Sequence, residues 1–167
     1  AAPHGLGIVE EFLYLKSIAR ARIKVAVPGP FTLSGRLAGG RRLEIAEQLV
    51  PIVRRELEKL VEAGCDHIQL DEPSFACYPD GISHYVRLFN ATVEGITATI
   101  STHLCFGNYK ARAVADRRYR PLFPAILDLA ADELILEFAS REMAEADLWK
   151  EFAVTKRLAA GVVDVKS

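Results

Sequence analysis

Cysteine is scarce and unpaired in this chain: Cys65, Cys77 and Cys105 are odd in number and show no CxxC spacing. That excludes a disulfide framework and points to a reducing compartment, most simply the cytoplasm. Neither sign of charge is in excess, since 21 Lys plus Arg face 22 Asp plus Glu for a formal net charge of −1. No overall basic field therefore exists to draw in nucleic acid or an anionic membrane. No apolar run approaches the roughly 20 residues that span a bilayer, and the first residues lack the charged-then-apolar pattern of a signal peptide. No GxGxxG follows the first strand candidate, which lowers the case for a dinucleotide site.

What is present is an ordinary globular balance. Half of the 167 residues are hydrophobic and 26% are charged, enough for one domain with a sizeable core. Short apolar segments alternate with amphipathic ones. Strands are expected at Ile23 to Val27, His67 to Asp71, Thr97 to Cys105, Leu134 to Phe138 and Val162 to Val165. Helices are expected at Leu43 to Ala63, His84 to Val93, Leu122 to Ala131 and Glu142 to Ala159, with a loop from Ser74 to Gly81. The longest helix carries Ile45, Leu49, Ile52, Val53, Leu57, Leu60 and Val61 on one stripe, holds Pro51 inside it and closes at Gly64. Such alternation implies βαβ units and a parallel sheet. It suits an open doubly wound sheet or part of a (β/α)8 barrel, a whole one needing about 250 residues.

In such folds the carboxyl ends of the strands form the active face. Here those ends carry Asp71-Glu72, His103-Leu104-Cys105, Glu137, and Asp164-Val165-Lys166. The period of two puts His67, Gln69 and Asp71 on one strand face, and Ser101, His103 and Cys105 on one face of the next. Buried carboxylates and imidazoles are costly unless paired or metal-bound. Imidazole, thiolate and carboxylate are zinc ligands, and His103, Cys105 and Glu137 supply three of the roughly four donors that a tetrahedral ion takes. Zinc there would serve either to activate a thiol or to activate water. Spacing alone leaves both open. The basic connection (Lys110, Arg112, Arg117, Arg118, Arg120) reads as a solvated surface segment, with neutralisation of an anionic donor as the other reading.

Five stretches in order carry a family resemblance: Gly29-Pro30-Phe31-Thr32-Leu33, Ile68-Gln69-Leu70-Asp71-Glu72-Pro73, Ser101-Thr102-His103-Leu104-Cys105, Leu136-Glu137-Phe138-Ala139-Ser140-Arg141 and Gly161-Val162-Val163-Asp164-Val165-Lys166-Ser167. With them the sequence resembles the C-terminal catalytic barrel of cobalamin-independent methionine synthases and their shorter single-barrel relatives. The resemblance implies a parallel (β/α)8 TIM barrel, present here as a partial barrel of about five strands. It implies zinc-dependent transfer of a methyl group to the thiol of homocysteine, forming methionine. His103, Cys105 and Glu137 match zinc ligands. Asp71 matches a carboxylate at the amino-acid substrate, with Glu72 expected beside it, and Lys166 joins Asp71 among the expected catalytic residues.

Two departures stand out. The family's fourth ligand is a Cys on a later strand, which would follow Ser167. Lys166 stands where the folate-dependent enzymes have a His, so the donor is methyltetrahydrofolate or another methyl donor. Residues 1–167 are accordingly expected to form a single partial catalytic barrel domain whose remaining strands lie outside this sequence. A homo-oligomer is compatible with such a fragment, whereas neither nucleic acid nor a membrane is an expected partner. Alternatives are an alkyl transferase or lyase acting on another thiol such as coenzyme M, a metal-free barrel resembling uroporphyrinogen decarboxylase, and an inactive fragment.

Overall fold

The computed structural model describes residues 5–37, 39–107, 112–139 and 142–164. Within them the order is α1 (Ile8–Ile18), β1 (Val25–Pro28), α2 (Pro30–Ser34), α3 (Arg42–Glu62), β2 (His67–Asp71), α4 (Ser74–Cys77), α5 (Ile82–Val93), β3 (Thr99–Leu104), β4 (Glu133–Glu137), α6 (Leu148–Glu151) and β5 (Arg157–Gly161), with short 3₁₀ turns between. The five strands pair in parallel in the order β1-β2-β3-β4-β5. A doubly wound sheet reverses direction at a switch point. This one never does, and a sheet wound one way is the arc of a barrel. Among the described residues no helix is long and apolar enough to cross a membrane.

Strand parity divides the sheet into two faces. Val25, Val27, Ile68, Leu70, Ile100, Leu104, Leu134 and Leu136 are buried in the core. The alternate residues of β2 and β4 keep part of their surface open. The helices cover the apolar face, and α3 shows how. Leu49, Val53, Leu57 and Leu60 of the expected stripe are buried, together with Ala46. Each Leu withdrawn fully from water contributes about 1.5–3 kcal/mol. Ile45, Ile52 and Val61 are only partly buried. Pro51 lies inside the helix without ending it. The helix ends in paired bonds, Gly64 N to the Val61 carbonyl at 2.8 Å and Cys65 N to the Leu60 carbonyl at 2.9 Å. That closure needs a left-handed residue, and Gly64 has φ +86°.

The structure corrects four expectations. Ser74 to Gly81 is not an open loop, because α4 and a 3₁₀ turn (Pro79–Gly81) occupy it. Leu122 to Ala131 is not an α-helix, and 3₁₀ turns at Arg120–Leu122 and Ala125–Asp128 flank Pro124 instead. Glu142 to Ala159 is helical only at Leu148–Glu151. Glu142, Met143, Glu145 and Ala153 all take positive φ, which a right-handed helix excludes. The last strand is Arg157–Gly161 rather than Val162 to Val165, since Leu134 pairs with Leu158 and Glu137 with Gly161. Val162 and Val163 are exposed beyond it. Helix α1 goes unanticipated because its apolar residues surround it: only Phe12 is buried, while Leu13, Tyr14, Leu15 and Ile18 face outward.

One long-range tie joins the first two βα units. The Glu72 carboxylate accepts from Phe31 N (3.0 Å), Thr32 N (2.8 Å) and Thr32 Oγ1 (2.6 Å) at the start of α2. The side chain passes directly over Gly29, where an added Cβ would lie 2.2 Å from Oε1 and 2.5 Å from Cγ. Gly29→Ala is therefore expected to destabilise the fold by roughly 1–3 kcal/mol. Urea denaturation should show a lower midpoint at unchanged slope. An unchanged midpoint would mean that Glu72 has room to move.

Candidate functional site at the carboxyl ends of the strands

Asp71 closes β2, His103 is the penultimate residue of β3 with Cys105 just past its end, and Glu137 closes β4. In the β3–β4 register His103 faces Ile135 and Leu104 faces Leu136, so Cys105 and Glu137 come next on their two chains. All four keep partial exposure. An acid, an imidazole, a thiol and a second acid thus share one end of the sheet.

Asp71 is the best defined of them. Its Oδ1 accepts from Gln69 Nε2 at 2.8 Å, and His103 Nδ1 stands 3.9 Å away. That separation is an ion-pair distance, too long for a hydrogen bond. Burial pushes the Asp71 carboxyl up from its ordinary value, while the Gln69 donor and the neighbouring His103 pull it down. Gln69 lies two residues before Asp71, on the same strand face, and fixes that carboxylate.

Glu72 does not join this group. Successive strand residues point to opposite faces, and Glu72 turns inward with no exposed surface. The oxygens of Glu72, the residue expected beside Asp71 at the substrate, are taken up by the start of α2. Lys166, the other expected catalytic residue, lies outside the described residues, as do Ser140, Arg141 and the end of the last family motif. The expected strand end at Asp164 is also corrected, because Gly161 is the residue paired with Glu137 and Asp164 follows three residues later.

The structure adds Tyr119, which the sequence reading passed over inside the basic connection. Its ring is 1% exposed and packs on Phe106 and Phe138, with centroids at 4.5 and 5.8 Å. The hydroxyl donates to the Leu104 carbonyl at 3.2 Å and accepts from Glu137 N at 2.8 Å. One phenol oxygen therefore ties the ends of β3 and β4, the residues flanking Cys105 and carrying Glu137. The Glu145 carboxylate holds it in turn by accepting from Tyr119 N at 2.7 Å. A lone aromatic among Arg117, Arg118 and Arg120 was the available signal. Arg120 itself is engaged by both Glu151 oxygens at 2.8 and 2.7 Å.

The donors His103, Cys105 and Glu137 fit zinc in chemical type and stand on neighbouring strand ends. As the side chains lie, however, no three His, Cys, Asp or Glu among the described residues are gathered closely enough to hold a metal ion. None of the three cysteines is in a disulfide, and Cys77 Sγ lies 3.9 Å from the Cys105 carbonyl oxygen.

A sheet wound one way with reactive side chains at its carboxyl ends defines the class of βα-barrels. Within that class the chain belongs to the cobalamin-independent synthase family, catalytic domain, whose family model matches residues 7–167. It is 32% identical over 162 residues to a methionine synthase of Pyrococcus abyssi, covering 95% of this chain and 45% of that protein. The methionine synthase of Saccharolobus solfataricus is 28% identical, with 95% and 46% covered. A B12-independent methionine synthase from Shewanella sp. W3-18-1, solved in complex with selenomethionine, superimposes with a TM-score of 0.83 at 27% identity, covering 96% of this chain and 50% of that one. The chain thus spans about half the length of the relatives it matches.

The buried carboxyl of Glu72 gives a pH test. Burial pushes it up to about 7 from 4.5, against the pull of its three donors. Below about 4.5 the carboxyl is protonated whether the chain is folded or not. Between about 4.5 and about 7 the folded chain keeps a proton that the unfolded chain has released, so this group costs stability as pH rises through that window. Glu72→Gln should remove that part of the slope, on the order of 3 kcal/mol across the window. It should also leave one backbone donor facing an amide NH₂. Denaturation midpoints measured from pH 4 to 8 check this, and parallel curves for the two proteins would refute it.

Proposed function

We propose that this chain forms part of a zinc-dependent methyltransferase that moves a methyl group to the thiol of homocysteine, forming methionine. The observation that carries the reading is the placement of Asp71, His103, Cys105 and Glu137 at the carboxyl ends of three adjacent strands in a chain of this family. His103, Cys105 and Glu137 would hold the zinc, with a further ligand from outside this sequence. When bound, the metal lowers the pKa of the acceptor thiol and so raises its nucleophilicity.

The chain's own groups do the positioning. Asp71, held by Gln69, receives the ammonium group of the amino-acid substrate through charge-assisted hydrogen bonds. Tyr119 fixes the separation of the two strand ends that carry Cys105 and Glu137. Lys166 is assigned a catalytic role at the far end of the last motif. Selenomethionine carries selenium where methionine has sulfur, and its presence in the Shewanella relative supports product binding at a site of this kind. Three cysteines outside any disulfide suit a reducing compartment, the cytoplasm.

Metal content separates this reading from a metal-free barrel. The purified protein is expected to bind about one zinc. Cys105→Ser should weaken that binding beyond the roughly 10–100-fold that changes around the ligands cost, measured by competition with a chromogenic chelator. Asp71→Asn should leave zinc binding in place and raise the KM for homocysteine. Equal zinc affinity in the Cys105→Ser protein would sink the ligand assignment.

A further inference from the structure

The connections that leave β3 and β4 are latched to each other beside the strand-end cluster. The latch begins in an unfavourable stretch of backbone. Glu142, Met143 and Glu145, just past β4, take φ of +50°, +63° and +69°, a left-handed region that side chains other than glycine enter against steric resistance. Such a run persists only where its surroundings hold it. Here the Glu145 carboxylate accepts from Tyr119 N at 2.7 Å and from Arg120 N at 3.3 Å, and Met143 N donates to the Phe138 carbonyl at 3.2 Å. Glu151, at the end of α6, draws Arg120 to the same side.

What the latch delivers is the Tyr119 phenol. Bonds between parallel strands are slanted, so the carbonyl of Leu104, which stands opposite Leu136, faces the amide of Glu137. That is the last rung between β3 and β4. The Tyr119 hydroxyl bonds both of its groups, donating to Leu104 at 3.2 Å and accepting from Glu137 at 2.8 Å. Phe106 and Phe138 pack on the ring, so the phenol oxygen moves only if the Tyr119 backbone moves with it. The rung carries Glu137 and immediately precedes Cys105.

Resting on the methyl-transfer reading, we propose that Glu145 is a positioning residue for the metal centre: through Tyr119 it sets the spacing of the strand ends that present Cys105 and Glu137. Neither Glu145 nor Tyr119 is assigned as a ligand. Each acts through the backbone, by hydrogen bonds in series, so the two residues work as one unit.

Competition with a chromogenic chelator on the full chain reads zinc affinity in Tyr119→Phe, Glu145→Ala, Glu145→Gln and the double variant Tyr119→Phe/Glu145→Ala. Tyr119→Phe keeps the ring and loses only the hydroxyl. It and Glu145→Ala should each weaken zinc roughly 10–100-fold, the range for partners that orient ligands. Glutamine keeps an acceptor oxygen for Tyr119 N, so Glu145→Gln should retain most of the affinity. The double variant should bind no more weakly than the weaker single one, since groups acting in series do not add. Cobalt bound in place of zinc should show a shifted visible spectrum in Tyr119→Phe. Val53→Ala, on the buried face of α3, lowers stability without reaching the latch and should change neither affinity nor spectrum. Unchanged zinc affinity in Tyr119→Phe or Glu145→Ala, additive losses in the double variant, or an equal loss in Val53→Ala overturns the inference.

Amide exchange measures the relay without metal. The Glu137 N–H should exchange faster in both Tyr119→Phe and Glu145→Ala while amides earlier in β4 stay protected, and a Glu137 amide indifferent to Glu145→Ala breaks the relay. Zinc held equally by the parent and its variants defeats the latch alone and leaves the methyl-transfer reading standing. A parent chain that takes up no zinc defeats that reading, and the metal-positioning role with it.

Discussion

The buried carboxylate of Glu72 is the constraint on which the working end of this sheet depends. It reaches from the end of β2 across Gly29 to the first amides of α2. Carrying a carboxyl out of water is costly, and burial pushes its pKa up to about 7. Three donors offset that cost, and in return the start of α2 is fixed against the sheet. Because adjacent strand residues face opposite ways, pinning Glu72 inward commits Asp71 outward. The same tie sets Phe31, whose carbonyl holds Arg42. The strand-end cluster and the Arg42 guanidinium thus share one support.

Around that support the polar groups are organised by parity. Thr102 shows the rule from the covered face, where its hydroxyl is buried and donates to the Leu70 carbonyl at 2.7 Å. On the other face Ser101 Oγ lies 3.3 Å from His67 Nε2, below Asp71 and His103. Polar residues on the covered face are satisfied locally, so what remains at the strand ends is available for chemistry. Among the described residues no buried side-chain nitrogen or oxygen lacks a partner.

Legibility in the sequence followed the range of the interactions. His67 to Asp71 is found to the residue because alternation and the Glu72-Pro73 stop are local. Helix α3 comes within a residue at each end because its stripe is long. Arg157 to Ala159 falls inside the expected helix Glu142 to Ala159, and only pairing with β4 makes Arg157–Gly161 a strand. The positions of Asp71, His103, Cys105 and Glu137 at strand ends were legible from parity. The inward turn of Glu72 was not, because its partners lie 40 and 41 residues away. Tyr119 was hidden for the same reason, joining Leu104 to Glu137.

The unreversed strand order carries a further implication. Each strand finds its partner in the segment made just before it, so pairing never waits for a distant part of the chain. Consecutive strands that neighbour one another need only the one crossover between them to be complete before they pair. The sheet can therefore lengthen unit by unit as the chain leaves the ribosome, each new strand laid on a finished edge. The reactive residues are then added in sequence, Asp71, then His103 and Cys105, then Glu137, and the site grows at the pace of synthesis.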